Sequence, residues 1–361
     1  MKKYLIIILT ALILLSACNN RNSFSVKGDV DKLTNPIIFA TFSSADTLAI
    51  DTIKASKNGK FSFDAVIDTF TVLTFYFNDF TSSCVVFANK GDKIKIKGDA
   101  AFPDLIQVNG NEINDDLTLF KKEHNDLLFK RGELFNNLRS ETAEEGINQN
   151  EQRAQLNVLN YQLTLQAEEF VKNNPEKAAS LIMINNFFRN PDNPQALERV
   201  LGYLNEDILQ LPMGQSLKNY SNKLKASAEG ASMPYFDLKD INGKDVISND
   251  FRGKYLVLNF ISSTDLDSRE NVKILKNEYS NLNKDSVAFV SVYIDSDIYP
   301  ITLLKNDSIP WTIVPEKKSW ASEIVNTYNV PFIPYNIVIS PSGIIKNRNI
   351  PAQEIEESIK N

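Results

Sequence analysis

The chain has 361 residues, 43% of them hydrophobic and 23% charged, with a formal net charge of −6. That length admits two or three domains, with cores large enough to fold without disulfide staples. An acidic balance with no basic cluster argues against a nucleic-acid partner.

The first residues read as an export signal. Lys2 and Lys3 precede an almost unbroken apolar run over residues 4–15. A membrane-spanning helix needs about 20 such residues, so the run suits a signal-peptide core instead. It ends in Leu15-Ser16-Ala17-Cys18, which resembles the lipobox of bacterial lipoproteins. The resemblance implies a signal peptide over residues 1–17, cleavage before Cys18 and a lipidated tether over residues 18–23. At ~0.8 kcal/mol per buried methylene, several acyl chains on Cys18 would hold the chain stably at a membrane. An ordinary secretory signal with an incidental cysteine, or a retained anchor, are the alternatives. The tether has no acidic cluster, and position 19 is Asn19 rather than aspartate. Both points favour the periplasmic face of the outer membrane. The chain has two cysteines. With Cys18 lipidated, only Cys84 remains, and no internal disulfide is expected even in an oxidising compartment.

Residues 24–110 alternate apolar and polar side chains in short runs. Asn58-Gly59 and Asn89-Lys90-Gly91-Asp92 supply turn chemistry, and Lys93-Ile94-Lys95-Ile96-Lys97 has one apolar and one basic face. The pattern predicts an antiparallel β-sandwich, with a tight hairpin at Asn58-Gly59. Residues 111–228 read as a helical segment: Leu117, Phe120, His124 and Leu127, then Leu156, Leu159, Leu163 and Phe170, recur at helical spacing. Residues 141–152 read as a polar connection between helices. From residue 229 to 361 strands alternate with helices, which predicts an α/β domain with a mixed sheet. The fold class is therefore multi-domain α+β.

The last zone resembles the AhpC/TSA and TlpA-like thioredoxin domains. Ala231-Ser232-Met233-Pro234 resembles their opening, and Phe251-Arg252-Gly253-Lys254-Tyr255-Leu256-Val257-Leu258-Asn259-Phe260 the strand before their active-site helix. Val290-Ser291-Val292-Tyr293-Ile294-Asp295 is similar to the third strand. Tyr328-Asn329-Val330-Pro331-Phe332-Ile333-Pro334 is similar to the cis-proline loop. The order and spacing hold over about residues 231–360. The first zone resembles, more loosely, a β-rich domain of unknown function that precedes such modules in lipoproteins of Bacteroidetes type.

The resemblance implies a Cys-x-x-Cys at a helix N-terminus, where backbone N–H groups and the helix dipole lower a thiol pKa and a second thiol resolves the mixed disulfide. Counted from Phe260, those positions fall on Asp265 and Ser268, and no cysteine lies after Cys84. The acid that many members bury on the preceding strand is Asn259. Asp267 followed by Glu270 has the spacing of a capping box, which predicts a helix-capping role for this acidic stretch. Ser263, Thr264, Asp265, Ile333 and Pro334 form a candidate binding groove. No histidine lies near Ser268 to activate it as a nucleophile. His124 reads as a structural residue and Cys84 as a buried core thiol. No metal or cofactor is expected. The expected function is a redox-inactive, lipid-anchored envelope module that binds a protein partner. The alternative is a diverged thiol-disulfide oxidoreductase acting with a cysteine-bearing partner or through Cys84.

Overall fold

The computed structural model describes residues 23–44, 47–139, 147–295 and 309–360. The segment expected to be a signal peptide (residues 1–17), Cys18 with its expected lipid, and all of the expected tether except Ser23 lie outside the described residues. The chain divides into two compact units, Met1–Met183 and Ile184–Asn361.

The first unit opens with seven strands: β1 (Ser23–Asp31), β2 (Ile37–Ser44), β3 (Thr47–Lys54), β4 (Lys60–Val66), β5 (Thr71–Phe77), β6 (Ser82–Ala88) and β7 (Lys93–Asp99). A short β8 (Gln107–Asn109) follows. They form two sheets, in the orders β4-β1-β7-β8 and β3-β2-β5-β6. Alternation along each strand turns Phe24, Val26, Phe61, Phe63, Ile94 and Ile96 of one sheet toward Ile38, Leu73, Phe75, Phe77 and Val86 of the other, in one core. Two details depart from the expected antiparallel sandwich. β1 and β7 run parallel, with Ser25 level with Lys93. Asn58-Gly59 turns the chain, with Gly59 at φ +72°, but β3 and β4 belong to different sheets. The turn is a corner between layers rather than a hairpin. Alternation fixes which face a residue takes, not which strand it pairs with.

Four helices follow: α1 (Glu112–Glu123), α2 (Asn125–Arg139), α3 (Ile147–Asn173) and α4 (Ala178–Phe187). Asn111 caps α1 by accepting from the Asn114 N–H at 3.1 Å. Asn114 in turn bridges to the backbone of Phe87, and Thr118 to that of Val108, which docks α1 on the strands. Within the stretch read as a polar connection, α3 has already begun at Ile147. His124 is the C-cap of α1, its ring 4.5 Å from that of Phe120.

The second unit begins with α5 (Pro194–Leu201), α6 (Glu206–Leu209) and α7 (Pro212–Lys225), then a hairpin of β9 (Asp237–Lys239) and β10 (Asp245–Ile247). After it come β11 (Tyr255–Ile261), α8 (Leu266–Asn281), β12 (Val287–Tyr293), β13 (Thr312–Pro315), α9 (Glu323–Thr327), β14 (Tyr335–Ile339), β15 (Ile345–Arg348) and α10 (Ile355–Lys360). The sheet order is β13-β12-β11-β14-β15. β11, β12 and β13 are parallel, and β14 and β15 antiparallel to their neighbours. Both faces are covered. Leu256, Leu258, Phe260, Val290 and Ile337 pack on one side, and Val257, Leu275, Phe289, Val338 and Ile355 on the other. This is the thioredoxin-like α/β arrangement.

The helical stretch read as one segment, residues 111–228, is divided between the units. Its later part is tied to the α/β sheet. Arg348 donates to the Ser227 carbonyl at 2.5 Å, Asn329 donates to Ser227 Oγ at 2.8 Å, and the Tyr335 hydroxyl reaches Asp192 at 2.5 Å. Among the described residues, no helix is long and apolar enough to cross a membrane.

Candidate functional site

β11 delivers the chain to the tip of α8. Its register with β14 pairs Phe260 with Tyr335. Pro334 therefore lies level with Ile261, at the mouth of the 262–265 loop, and the Ile333–Pro334 bond is cis. Strand register thus brings the segments that carry Ser263, Thr264, Asp265, Ile333 and Pro334 to the same end of the neighbouring strands β11 and β14.

Asp265 is the N-cap of α8. Its Oδ2 accepts the Ser268 N–H at 2.7 Å, so the two positions expected to carry redox thiols are bonded to one another. The capping residue is Asp265, not Asp267, which lies exposed in the first turn with its carboxylate near the positive helix end. Ser268 is 1% exposed and its Oγ accepts the Ser262 N–H at 3.2 Å. A buried hydroxyl already engaged in closing a turn has neither the access nor the base that a nucleophile requires.

The loop is fixed from a residue outside the sequence-based set. Asp295 follows β12 and lies beside the loop because β11 and β12 pair in parallel up to Ile261 and Tyr293. Its carboxylate accepts from Ser262 Oγ at 2.5 Å and from the Ser263 N–H at 3.0 and 3.1 Å. Ser262 Oγ and Thr264 Oγ1 are 2.9 Å apart, and Arg269 Nε donates to the Ser263 carbonyl at 2.7 Å. An acid two residues beyond a strand parallel to β11 was the available signal for Asp295, and it requires knowing that pairing.

Beneath the loop, Asn259 anchors a neutral network. Its Nδ2 donates to Asn336 Oδ1 at 2.6 Å and Asn271 Oδ1 at 3.2 Å, while its Oδ1 accepts from Ser291 Oγ at 3.0 Å. Trp311 Nε1 donates to Ser291 Oγ at 2.8 Å, and Asn336 Nδ2 donates to the Ile350 carbonyl at 3.0 Å. Amides and hydroxyls satisfy one another here, with no ionised group among them. Two large apolar side chains next in the chain to the 262–265 loop and the cis-proline segment are exposed: Leu266, 75% exposed, at the start of α8, and Phe332, 45% exposed, two residues before the cis-proline.

The remaining cysteine that the structure describes lies in the first unit. Cys84 is buried on β6, and burial pushes its thiol pKa up to about 12, against the smaller opposing effect of nearby Lys121. Lys121 is lowered by burial and donates to the Ile106 carbonyl at 2.7 Å. A thiol held this way is protonated at neutral pH and unreactive. Among the described residues no cluster of His, Cys, Asp and Glu could hold a metal ion.

Comparison with known proteins agrees with this architecture. Residues 24–117 match the model of a domain of unknown function, DUF4369, and residues 230–348 match the AhpC/TSA family. The chain is 26% identical over 138 residues to the thiol-disulfide oxidoreductase ResA of Bacillus subtilis (strain 168), a match that spans 38% of this chain and 75% of that protein. A thiol-disulfide oxidoreductase from Bacteroides fragilis is 30% identical, over 33% of this chain and 90% of its own, with a TM-score of 0.30. The C-terminal domain of a putative thiol-disulfide oxidoreductase from Bacteroides thetaiotaomicron is 24% identical, over 37% and 95%, with a TM-score of 0.35. The chain thus carries an N-terminal DUF4369 domain and a C-terminal thioredoxin-like domain of the AhpC/TSA family, the fold shared by the thiol-disulfide oxidoreductases it resembles.

Proposed function

We propose that this protein is a redox-inactive thioredoxin-like module that binds a protein partner in the bacterial cell envelope, held at a membrane through lipid on Cys18. The observation that carries the reading is the helix tip. Disulfide exchange needs a thiolate to attack and a thiol to resolve. Asp265 and Ser268 supply a carboxylate and a buried hydroxyl, already bonded to each other through a cap. The neutral Asn259 network supports the same reading, because it offers no carboxylate to take a proton from a thiol. Leu266, next to Asp265, and Phe332, two residues before Pro334, are exposed apolar side chains available for contact. Apolar side chains flanking a backbone edge suit an extended peptide segment of a partner. Redox work through Cys84 is disfavoured by its burial and its raised pKa.

The test is insulin reduction by the full chain in detergent, with dithiothreitol as the electron source, beside a Cys84→Ser variant. Both should match the protein-free rate. Turnover by the wild type above that rate would overturn the proposal, and its loss in Cys84→Ser would place the activity on that thiol. In parallel, a photo-crosslinking residue at Phe332, expressed in the envelope, should yield an adduct with a protein.

A further inference from the structure

Helix α3 is apolar on two opposite sides. Leu163, Ala167 and Val171 are fully buried, following the i, i+4, i+8 stripe of a packed face. On the opposite side Val158, Tyr161 and Leu165 follow i, i+3, i+7 and are 57%, 65% and 45% exposed. Around this second stripe the sequence is neutral. Residues 154–167 contain no charged side chain, in a chain that is 23% charged. The flanking polar positions are amides, Asn157 and Gln162 among them. A solvated helix face usually carries interspersed Lys and Glu. Depletion of charge around Tyr and aliphatic anchors is instead the composition of an interface core.

We propose that this face of α3 pairs with the same face of a second copy of the chain, antiparallel, about a dyad between Tyr161 and Gln162. A two-fold interface sets a surface against itself, so a charge near the dyad would meet its own image. A stripe of aliphatic side chains and amides avoids that, since each amide is both donor and acceptor. The charges that bound the stripe on this face are Glu151 at one end and Glu169 and Lys172 at the other, and they select the direction: the antiparallel register sets Glu169 opposite Ala154, whereas a parallel one would set it against its own image. The antiparallel register sets Val158 opposite Leu165 and Glu151 opposite Lys172, an acid against a base at each end. Glu151 and Lys172 are both exposed. A parallel pair would set Glu151 against Glu151 and Lys172 against Lys172. From one to the other the stripe is about 30 Å long at ~1.5 Å per residue. One helix pair of that length is a small interface, which places the dimer among weak, concentration-dependent associations.

The experiment uses full-length chains with two different C-terminal tags, produced together in the envelope. One carries Val158→Cys and the other Leu165→Cys, and the membrane fraction is oxidised. A disulfide joining the two tags is expected, well above that of wild-type chains bearing only Cys18 and Cys84. Val158→Cys in both copies should link far less, because that register leaves those positions about 10 Å apart along the axis, beyond the reach of a disulfide. In a second arm, the Val158→Asp/Leu165→Asp chain should lose association with itself about a hundredfold, through like charges set face to face. The Val158→Lys/Leu165→Lys chain should lose it likewise, and mixing the two should restore it. These positions are exposed, so the changes leave folding intact. The proposal is overturned if the Val158/Leu165 pair gives no disulfide, or if the Val158/Val158 pair dominates. Undiminished self-association of the aspartate chain, or a different protein captured in place of the second copy, overturns it as well.

Discussion

Replacing Asn259 with aspartate restores the acid that relatives of this fold place beneath the active-site helix, and it should cost this protein stability in a pH-dependent way. The side chain is 1% exposed. A carboxylate cannot donate, so the bonds to Asn336 Oδ1 at 2.6 Å and Asn271 Oδ1 at 3.2 Å become oxygen–oxygen contacts. Rotating the Asn336 amide would recover one, but it withdraws Nδ2 from the Ile350 carbonyl, 3.0 Å away. The groups bonded to Asn259 are Ser291, Asn271 and Asn336, none of them a cation. An uncompensated buried charge costs about 3–5 kcal/mol. Burial therefore raises the carboxyl pKa in the folded state above its unfolded value of about 3.9. The unfolded chain then releases its proton first as pH rises. The variant is least destabilised below about pH 4 and loses stability as pH climbs through the folded pKa. Urea unfolding at pH 4.5 and pH 7.5, beside wild type, measures the effect. Both tryptophans, Trp311 and Trp320, lie in the second unit, so their fluorescence follows that unit alone. The expected deficit is about 3 kcal/mol at pH 7.5, shrinking at pH 4.5. A deficit under about 1 kcal/mol at pH 7.5, the size of an ordinary polar substitution, or one equal at both pH values, would refute the reasoning.

Asp265→Ala removes the α8 cap and should cost about 1 kcal/mol in the same urea assay, with Asp265→Asn retaining most of it. Asp265→Cys combined with Ser268→Cys supplies both missing thiols at a helix N-terminus; it should raise insulin reduction above the wild-type background, and no gain would mean the loop cannot position them. Cys84 should resist iodoacetamide at pH 8 in the folded protein and react fully in urea, as a thiol near pKa 12 requires. Gly59→Ala should destabilise the first unit by about 2 kcal/mol or more, because the new Cβ adds to overpacking at a left-handed position. It would stand 1.9 Å from the Val30 carbonyl oxygen at φ +72°. Circular dichroism on heating measures that loss.

Local chemistry was legible in the sequence, and pairing was not. The alternation of Lys93-Ile94-Lys95-Ile96-Lys97 matches β7, with Ile94 and Ile96 inward. Nothing in it announces that its partner is β1, in parallel. The acidic stretch at the tip of α8 could be read as a cap, but two patterns compete there, Asp265 before Ser268 and Asp267 before Glu270. The end of β11 at Ile261 leaves room for the helix to start at Leu266, which decides for Asp265. Periodicity located the helices of residues 111–228 without saying which core they serve. That depends on side chains far along the chain, such as Arg348 and Tyr335. Asn259 was singled out, but its partners Asn271, Ser291 and Asn336 are brought to it only by helix packing and sheet register.

The parallel match of β1 with β7 has a consequence for assembly. β1 precedes the other described strands in the chain, yet its two neighbours are β4 and β7, both drawn from later. β1 can pair with β4 once about residue 66 has been made, but its other edge stays open until β7, which ends near residue 99, has followed. Such distant closure is slow. During that interval Phe24, Val26 and Val30 lie on an incomplete sheet with their apolar side chains uncovered, a surface that a chaperone could hold.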